Sequence, residues 1–168
     1  ETQAGKSALP WDHPLNLGSI GVTGGAPANA VCVEADLVFG VGTRFQDFTT
    51  GSWGLFANPV RRIACLNVAA YDAAKHDALP LLADARAGLG ELSAALGKHQ
   101  SAAEIDGLTS DWFDKVDPLT AAPDGNALPT DMQVVGAVQR AATDDTVVMC
   151  AAGTMPGELH KLWKSSRP

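Results

Sequence analysis

The fold of this chain is decided by the stretch Ala35-Asp-Leu-Val-Phe-Gly-Val-Gly-Thr-Arg-Phe-Gln-Asp47. A short apolar run predicts a strand over Leu37–Val41, and the run opens through two glycines into a polar segment. This pattern is typical of a buried parallel strand whose carboxyl end reaches a ligand crevice. The stretch therefore predicts an α/β fold, with a candidate binding edge at Gly42, Thr43 and Arg44.

Strand-like and helix-like patterns alternate over residues 1–97. A glycine-rich loop, Gly18–Pro27, precedes a predicted helix over Ala28–Ala35, and a second buried strand is predicted over Ile63–Leu66. Asp84 is placed to cap a further helix, because carboxylates accept hydrogen bonds from the first free N–H groups of a helix. Strand, helix and strand in this order favour a parallel sheet flanked by helices, joined by right-handed crossovers.

Residues 98–127 differ in composition, with six acidic residues against two lysines and with two prolines. We interpret them as an acidic linker that contains one short helix around Trp112.

A second α/β domain is predicted to begin at residue 128, and residues 128–168 would be only its first part. Thr130 and Gln133 have the spacing of a capping box. Thr146–Cys150 is interpreted as a strand, and the glycine turn after it as the entry into another helix.

The composition limits the classes of partner. The chain has 168 residues, of which 46% are hydrophobic and 18% charged, and its net charge of −7 argues against nucleic acid or an anionic membrane. No apolar run approaches the roughly 20 residues that span a bilayer. Cys32, Cys65 and Cys150 lie in apolar segments without CxxC spacing, so we interpret them as buried thiols of a cytoplasmic protein.

Several spaced motifs resemble those of the thiamine diphosphate-dependent enzymes of the acetohydroxyacid synthase type. The resemblance is carried by Glu1-Thr-x-x-Gly-Lys6, Asp12-His-Pro-Leu15, Gly21-x-x-Gly24 with Ala28-Asn29, Ala35-Asp36, Val41-Gly-x-Arg-Phe-x-Asp47 and Leu128–Trp163. It implies that residues 1–97 are most of a central Rossmann-like domain, and that residues 128–168 begin the domain that binds thiamine diphosphate.

The resemblance also implies features outside this chain. The family's catalytic glutamate would lie in a preceding domain, and its Gly-Asp-Gly…Asn motif for Mg²⁺ would lie beyond Pro168. A fragment of this extent is therefore expected to be inactive alone, and the full-length protein is expected to be a homo-oligomer.

Within the family, one branch hydrolyses a carbon–carbon bond of a cyclic dione derived from a polyol. The sequences of three segments most resemble that branch: Trp11–Pro14, Arg44–Trp53 and Ala151–Trp163. The synthases have an Asp-Val-Gly-x-His-Gln type of turn where this chain has Ala151-Ala-Gly-Thr-Met-Pro. The alternatives are an acetolactate synthase-like ligase or decarboxylase and, from another class, a non-catalytic nucleotide-binding or structural scaffold.

Two sites are proposed for a cofactor. Gly153 and Thr154 would offer backbone N–H groups and a hydroxyl to a diphosphate at a helix start, although a plain turn with a flexible glycine has the same pattern. Gly42, Thr43 and Arg44 correspond to the place where some synthases hold FAD. There we favour a structural ion pair, either Arg44–Asp47 or interdomain, at a vestigial site. The Gly18–Gly25 loop lacks the GxGxxG spacing of a NAD site.

Two histidines lie beside carboxylates. His13 follows Asp12, and His160 lies two residues after Glu158. We interpret both as hydrogen-bonded structural residues rather than acid–base groups. Trp53, Phe56 and Phe48 are interpreted as a cover over the sheet edge or as an interdomain contact, with a stacking platform for a cofactor ring as the alternative.

Overall fold

In a computed structural model, residues 1–98 and 104–167 are described. The chain forms two compact units, one from Glu1–Ala30 with Ile105–Pro168 and the other from Val31–Glu104. Part of the predicted linker, residues 99–103, lies outside the described residues. The predicted domain boundaries of the full-length protein stay a prediction.

The unit Val31–Glu104 contains a three-stranded parallel sheet. Its strands are β1 (Leu37–Val41), β2 (Arg62–Asn67) and β3 (Leu79–Leu82), in the order β1-β2-β3. Both predicted strands and the α/β class are confirmed. β3 was not predicted, because Leu79-Pro-Leu-Leu carries a proline and no alternation of apolar and polar residues. A proline is tolerated there because β3 is an edge strand.

Helices connect and flank these strands. Asp84 caps the longest of them, since its Oδ1 accepts hydrogen bonds from the backbone N–H groups of Arg86 at 2.9 Å and Ala87 at 3.2 Å. The predicted cap is therefore confirmed. The helices are α1 (Ala26–Glu34), α2 (Asp47–Thr50), α3 (Ala70–Ala74) and α4 (Ala85–Leu96), with a 3₁₀ turn at Lys75–Asp77.

The core of this unit lies around the middle strand and the loop after β1. Cys65 and Leu66 of β2 are buried, and Phe45 and Phe56 from the connection between β1 and β2 are buried with them. Burial of large apolar side chains is the main favourable term in folding. The core therefore stabilises the segment that follows β1, where the candidate binding edge lies.

The other unit is helical where it is regular. It contains α5 (Leu108–Val116), a 3₁₀ turn at Asp117–Thr120, α6 (Asp131–Ala141) and α7 (Thr154–Leu162). Its buried core comprises Val116, Val135 and Leu162, with Trp112, Phe113, Met132 and Leu159 packed against them. The predicted helix around Trp112 is thus present as α5.

Two further predictions for this unit are tested by the structure. The capping box at α6 is confirmed, because Thr130 Oγ1 accepts from the Gln133 N–H at 3.3 Å and the Gln133 side chain accepts from the Thr130 N–H at 2.9 Å. The strand predicted over Thr146–Cys150 is wrong. This segment is irregular, with Val147 86% and Met149 89% exposed, because no strand among the described residues pairs with it.

The cysteines also differ from expectation at one position. Cys65 is buried and Cys32 is half-buried, whereas Cys150 is exposed. The prediction that all three are buried thiols is therefore wrong for Cys150, whose segment lacks the strand pairing that would have covered it. Burial raises the pKa of the Cys65 thiol, which keeps it protonated and unreactive.

Candidate functional site

The backbone at the carboxyl end of β1 is already hydrogen-bonded within the unit. The Gly42 N–H donates to the Leu66 carbonyl at 2.8 Å, and φ of Gly42 is +64°, which favours glycine. The Thr43 carbonyl accepts from Asn67 Nδ2 at 3.1 Å and from Cys65 Sγ at 3.5 Å. These groups are therefore engaged in holding the strand ends together.

Arg44 is the cationic group at this edge, and it is exposed. Its Nη2 donates to Gln46 Oε1 at 3.1 Å. Within residues 1–98 and 104–167, Arg44 forms no ion pair with Asp47, so this form of the interpretation is wrong, while the interdomain ion pair stays a prediction. Asp47 begins the short helix α2, where a carboxylate is favoured by the helix dipole.

An aromatic cluster follows, formed by Phe45, Trp53 and Phe56. The ring centroids of Phe45 and Phe56 are 6.0 Å apart and those of Trp53 and Phe56 are 5.8 Å apart, both with edge-to-face geometry. Trp53 also contacts the His76 ring at 4.1 Å. Because these rings contact one another, the cluster favours the covering role, while Phe48 is 56% exposed and is not part of it.

The second candidate lies at the start of α7. Gly153 has φ of +138° and ψ of −170°, a conformation in which a side chain would be strained, and the exposed Thr154 follows it. No side chain caps this helix and its first turn has no acidic residue. An uncapped helix start without a carboxylate leaves N–H groups for an anion, so Gly153 and Thr154 suit a phosphate chemically.

His160, on the same helix, is buried at 6% exposure. Its Nδ1 lies 2.9 Å from Thr23 Oγ1, and its carbonyl accepts from Ser19 Oγ at 2.9 Å. Burial, followed by the charge of Lys6, lowers the pKa of His160 to about 4. Burial also lowers the pKa of Lys6.

His160 is therefore a hydrogen-bonded residue, as predicted, and its lowered pKa keeps the ring neutral near pH 7. Its partners Ser19 and Thr23 were missed by sequence reasoning. The only available signal was their position inside the glycine-rich loop.

His13 has a local structural role. Its Nδ1 accepts from the backbone N–H of Leu15 at 3.1 Å, which makes the nitrogen part of a turn. Within the described ranges, no group of three or more His, Cys, Asp or Glu residues is arranged to hold a metal ion. In that part of the chain, no helix is both long and apolar enough to cross a membrane.

A parallel sheet with flanking helices is the architecture of a Rossmann-like domain. Residues 1–92 match the family model described as thiamine pyrophosphate enzyme, central domain. This chain belongs to the thiamine pyrophosphate enzyme family.

Several curated relatives of this chain share one name. A 3D-(3,5/4)-trihydroxycyclohexane-1,2-dione hydrolase from Geobacillus thermodenitrificans (strain NG80-2) is 39% identical, over 97% of this chain and 29% of that protein. Proteins of the same name from Clostridium perfringens (strain ATCC 13124) and Bacillus cereus (strain AH820) are 38% and 37% identical, over 98% and 100% of this chain. The chain spans about 30% of the length of these relatives.

Proposed function

We propose that the full-length protein is a thiamine diphosphate- and Mg²⁺-dependent hydrolase that cleaves a carbon–carbon bond of 3D-(3,5/4)-trihydroxycyclohexane-1,2-dione. It would act in myo-inositol catabolism, in the cytoplasm and as a homo-oligomer. Its partner would be this small cyclic dione rather than nucleic acid or a membrane, in keeping with a net charge of −7.

One observation carries the proposal. Similarity to the hydrolases extends over 97% to 100% of the chain, whereas the central-domain model stops at residue 92. A shared scaffold alone would explain likeness in the central domain, since one fold serves many activities. Likeness that continues to the turn at Gly153 and the helix α7 favours the same branch of enzymes.

The residues at the start of α7 fit the diphosphate of the cofactor. The uncapped helix start and the Thr154 hydroxyl would donate hydrogen bonds to its oxygens, and Gly153 leaves room for a close approach. When bound, thiamine diphosphate supplies a carbon nucleophile and an electron sink for cleavage of a bond next to a carbonyl. These residues would bind and orient it.

Mg²⁺ ligands are expected from parts of the full-length protein outside the described residues. A diphosphate needs cationic neutralisation, which Mg²⁺ provides through a few carboxylates and the phosphate oxygens themselves. Gly153 and Thr154 are not metal ligands in this proposal. Removal of Mg²⁺ with a chelator should therefore abolish tight binding of the cofactor to the full-length protein.

The experiment is an assay of the purified full-length protein with the cyclic dione and, separately, with pyruvate. We expect ring opening of the dione that depends on both thiamine diphosphate and Mg²⁺, with little acetolactate formed from pyruvate. Acetolactate formation at a comparable rate would show a synthase instead. Activity with neither substrate, together with no binding of the cofactor, would favour the scaffold alternative.

A further inference from the structure

The glycine-rich loop Gly18–Gly25 is closed by its own hydrogen bonds. The Asn29 side chain bonds both the N–H and the carbonyl of Gly21 at 3.0 Å, and the Gly25 N–H donates to the Ser19 carbonyl at 2.8 Å. A Cβ at Gly24 would lie 2.5 Å from the Ser19 carbonyl oxygen, which explains the glycine there. Since these backbone groups already have partners, they are not free to hold a phosphate.

Two side chains of this loop hold one face of α7. Ser19 Oγ donates to the His160 carbonyl at 2.9 Å, and Ser19 is 1% exposed. Thr23 Oγ1 lies 2.9 Å from His160 Nδ1, and its Cγ2 would lie 3.1 Å from a Cβ placed at Gly157. Gly157 and His160 are three residues apart and therefore lie on the same side of the helix.

A histidine at position 160 is not explained by packing alone. The residue is buried, and its Nε2 makes no hydrogen bond of good geometry among the described residues, although the Thr2 backbone is near enough to the ring to offset part of the lowering of its pKa. An unsatisfied buried polar atom is unfavourable, and an apolar side chain at this position would avoid that cost. What histidine adds over an apolar side chain is a directional contact, the 2.9 Å approach of its Nδ1 to Thr23 Oγ1.

We propose that the Gly18–Gly25 loop is a docking cradle for α7, and that His160 is the positioning residue that sets where α7 presents Gly153 and Thr154 to the cofactor diphosphate. His160 lies six residues after Thr154, which is about 9 Å along a helix. This inference rests on the proposed function, because it assigns the helix start to a diphosphate. It gives the glycine-rich loop a mechanical role in place of nucleotide binding.

The test measures binding of thiamine diphosphate with Mg²⁺ to the full-length protein by calorimetry. Thr23→Val removes the hydroxyl and keeps the methyl group that contacts Gly157. Its matched control is Thr109→Val, which removes a hydroxyl bond of 2.9 Å to the Asn16 carbonyl that does not touch α7. Thr23→Val also removes an exposed bond of 3.1 Å that Thr23 Oγ1 accepts from Gln3 Nε2 and that does not involve α7. We expect affinity about three- to tenfold weaker for Thr23→Val, the effect of losing the bond to His160. Thr109→Val should leave the affinity unchanged while lowering the Tm about as much as Thr23→Val lowers it.

Substitutions of His160 provide the second readout. His160→Asn keeps a donor or acceptor near the position of Nδ1 and should retain most of the affinity. His160→Leu fills the space without a hydrogen bond and should weaken binding as Thr23→Val does. Equal affinity in His160→Leu and the wild type, or equal losses in the two threonine variants, would overturn the positioning role. Failure of the wild type to bind the cofactor would instead overturn the proposed function.

Discussion

A buried neutral histidine makes the stability of its surroundings depend on pH. His160 is 6% exposed, and burial together with the nearby Lys6 lowers its pKa from 6.5 to about 4. In the unfolded chain the same ring is hydrated and takes up a proton near pH 6.5. Folding therefore requires the ring to stay neutral throughout the interval between the two pKa values.

The first residue-scale prediction follows from this difference in proton binding. The unfolded state binds more protons than the folded state between pH 6.5 and pH 4, so stability is full above this interval and falls as pH is lowered through it. The free energy of unfolding, measured with urea, should drop by about 2 kcal/mol from this group between pH 7.5 and pH 5. His160→Leu, which has no ionisable group at this position, should lose this part of the slope. The same slope in both proteins would contradict the assignment.

Residue-scale prediction from the sequence succeeded where the partner is local. The caps at Asp84 and Thr130 were predicted because their donors lie two or three residues away. The contact between Thr23 and His160 spans 137 residues and leaves no periodic signal. Arg44 illustrates a second reason why a partner can be mispredicted. The polar residues Gln46 and Asp47 both follow it closely in the chain, and sequence spacing does not show which of them it bonds.

At the scale of elements, prediction followed the strength of the local pattern. β1 was predicted with its observed bounds, and the prediction of β2 was one residue short at each end, because both are apolar runs that end in turn residues. β3 was missed because of its proline. The segment Thr146–Cys150 has the composition of a strand but remains irregular, because a strand needs a neighbour to satisfy its backbone groups.

Helix α4 allows a paired prediction, since it contains two glycines in different surroundings. A Cβ at Gly90 meets nothing within 4 Å, whereas a Cβ at Gly88 would lie 2.6 Å from Leu66 Cδ1, and Leu66 is 2% exposed. Gly90→Ala should stabilise the protein by about 0.5–1 kcal/mol through the lower entropy of the unfolded chain. Gly88→Ala should destabilise it by about 1–3 kcal/mol, because the buried Leu66 cannot move away. Urea unfolding of both variants measures the difference, and equal effects would show that α4 does not pack on β2 at Gly88.

At the scale of the whole molecule, the net charge and the hydrogen bonding of backbone groups both affect how well the chain binds an anionic ligand. The chain carries 19 acidic residues against 12 lysines and arginines. The Gly42 N–H is already bonded within its own unit, and the Arg44 guanidinium is the only cationic group of Gly42–Arg44. A single exposed guanidinium contributes little without further donors around the same anion. Gly42–Arg44 therefore correspond in sequence to the flavin site of some family members but do not offer the set of donors that such a site needs.

Calorimetry with FAD and with ADP tests whether the edge formed by Gly42–Arg44 has lost the ability to bind a nucleotide. We expect no binding of either nucleotide tighter than about 100 μM, because a dinucleotide site needs several convergent donors for its pyrophosphate. Arg44→Gln serves as the matched variant, since it removes the only charge of Gly42–Arg44 and leaves the bonds of Gly42 and Thr43 in place. If the wild type bound FAD at micromolar concentration and Arg44→Gln did not, the crevice would be a working nucleotide site. The proposed hydrolase function would survive that result, because the proposal depends on α7 and on the similarity beyond residue 92.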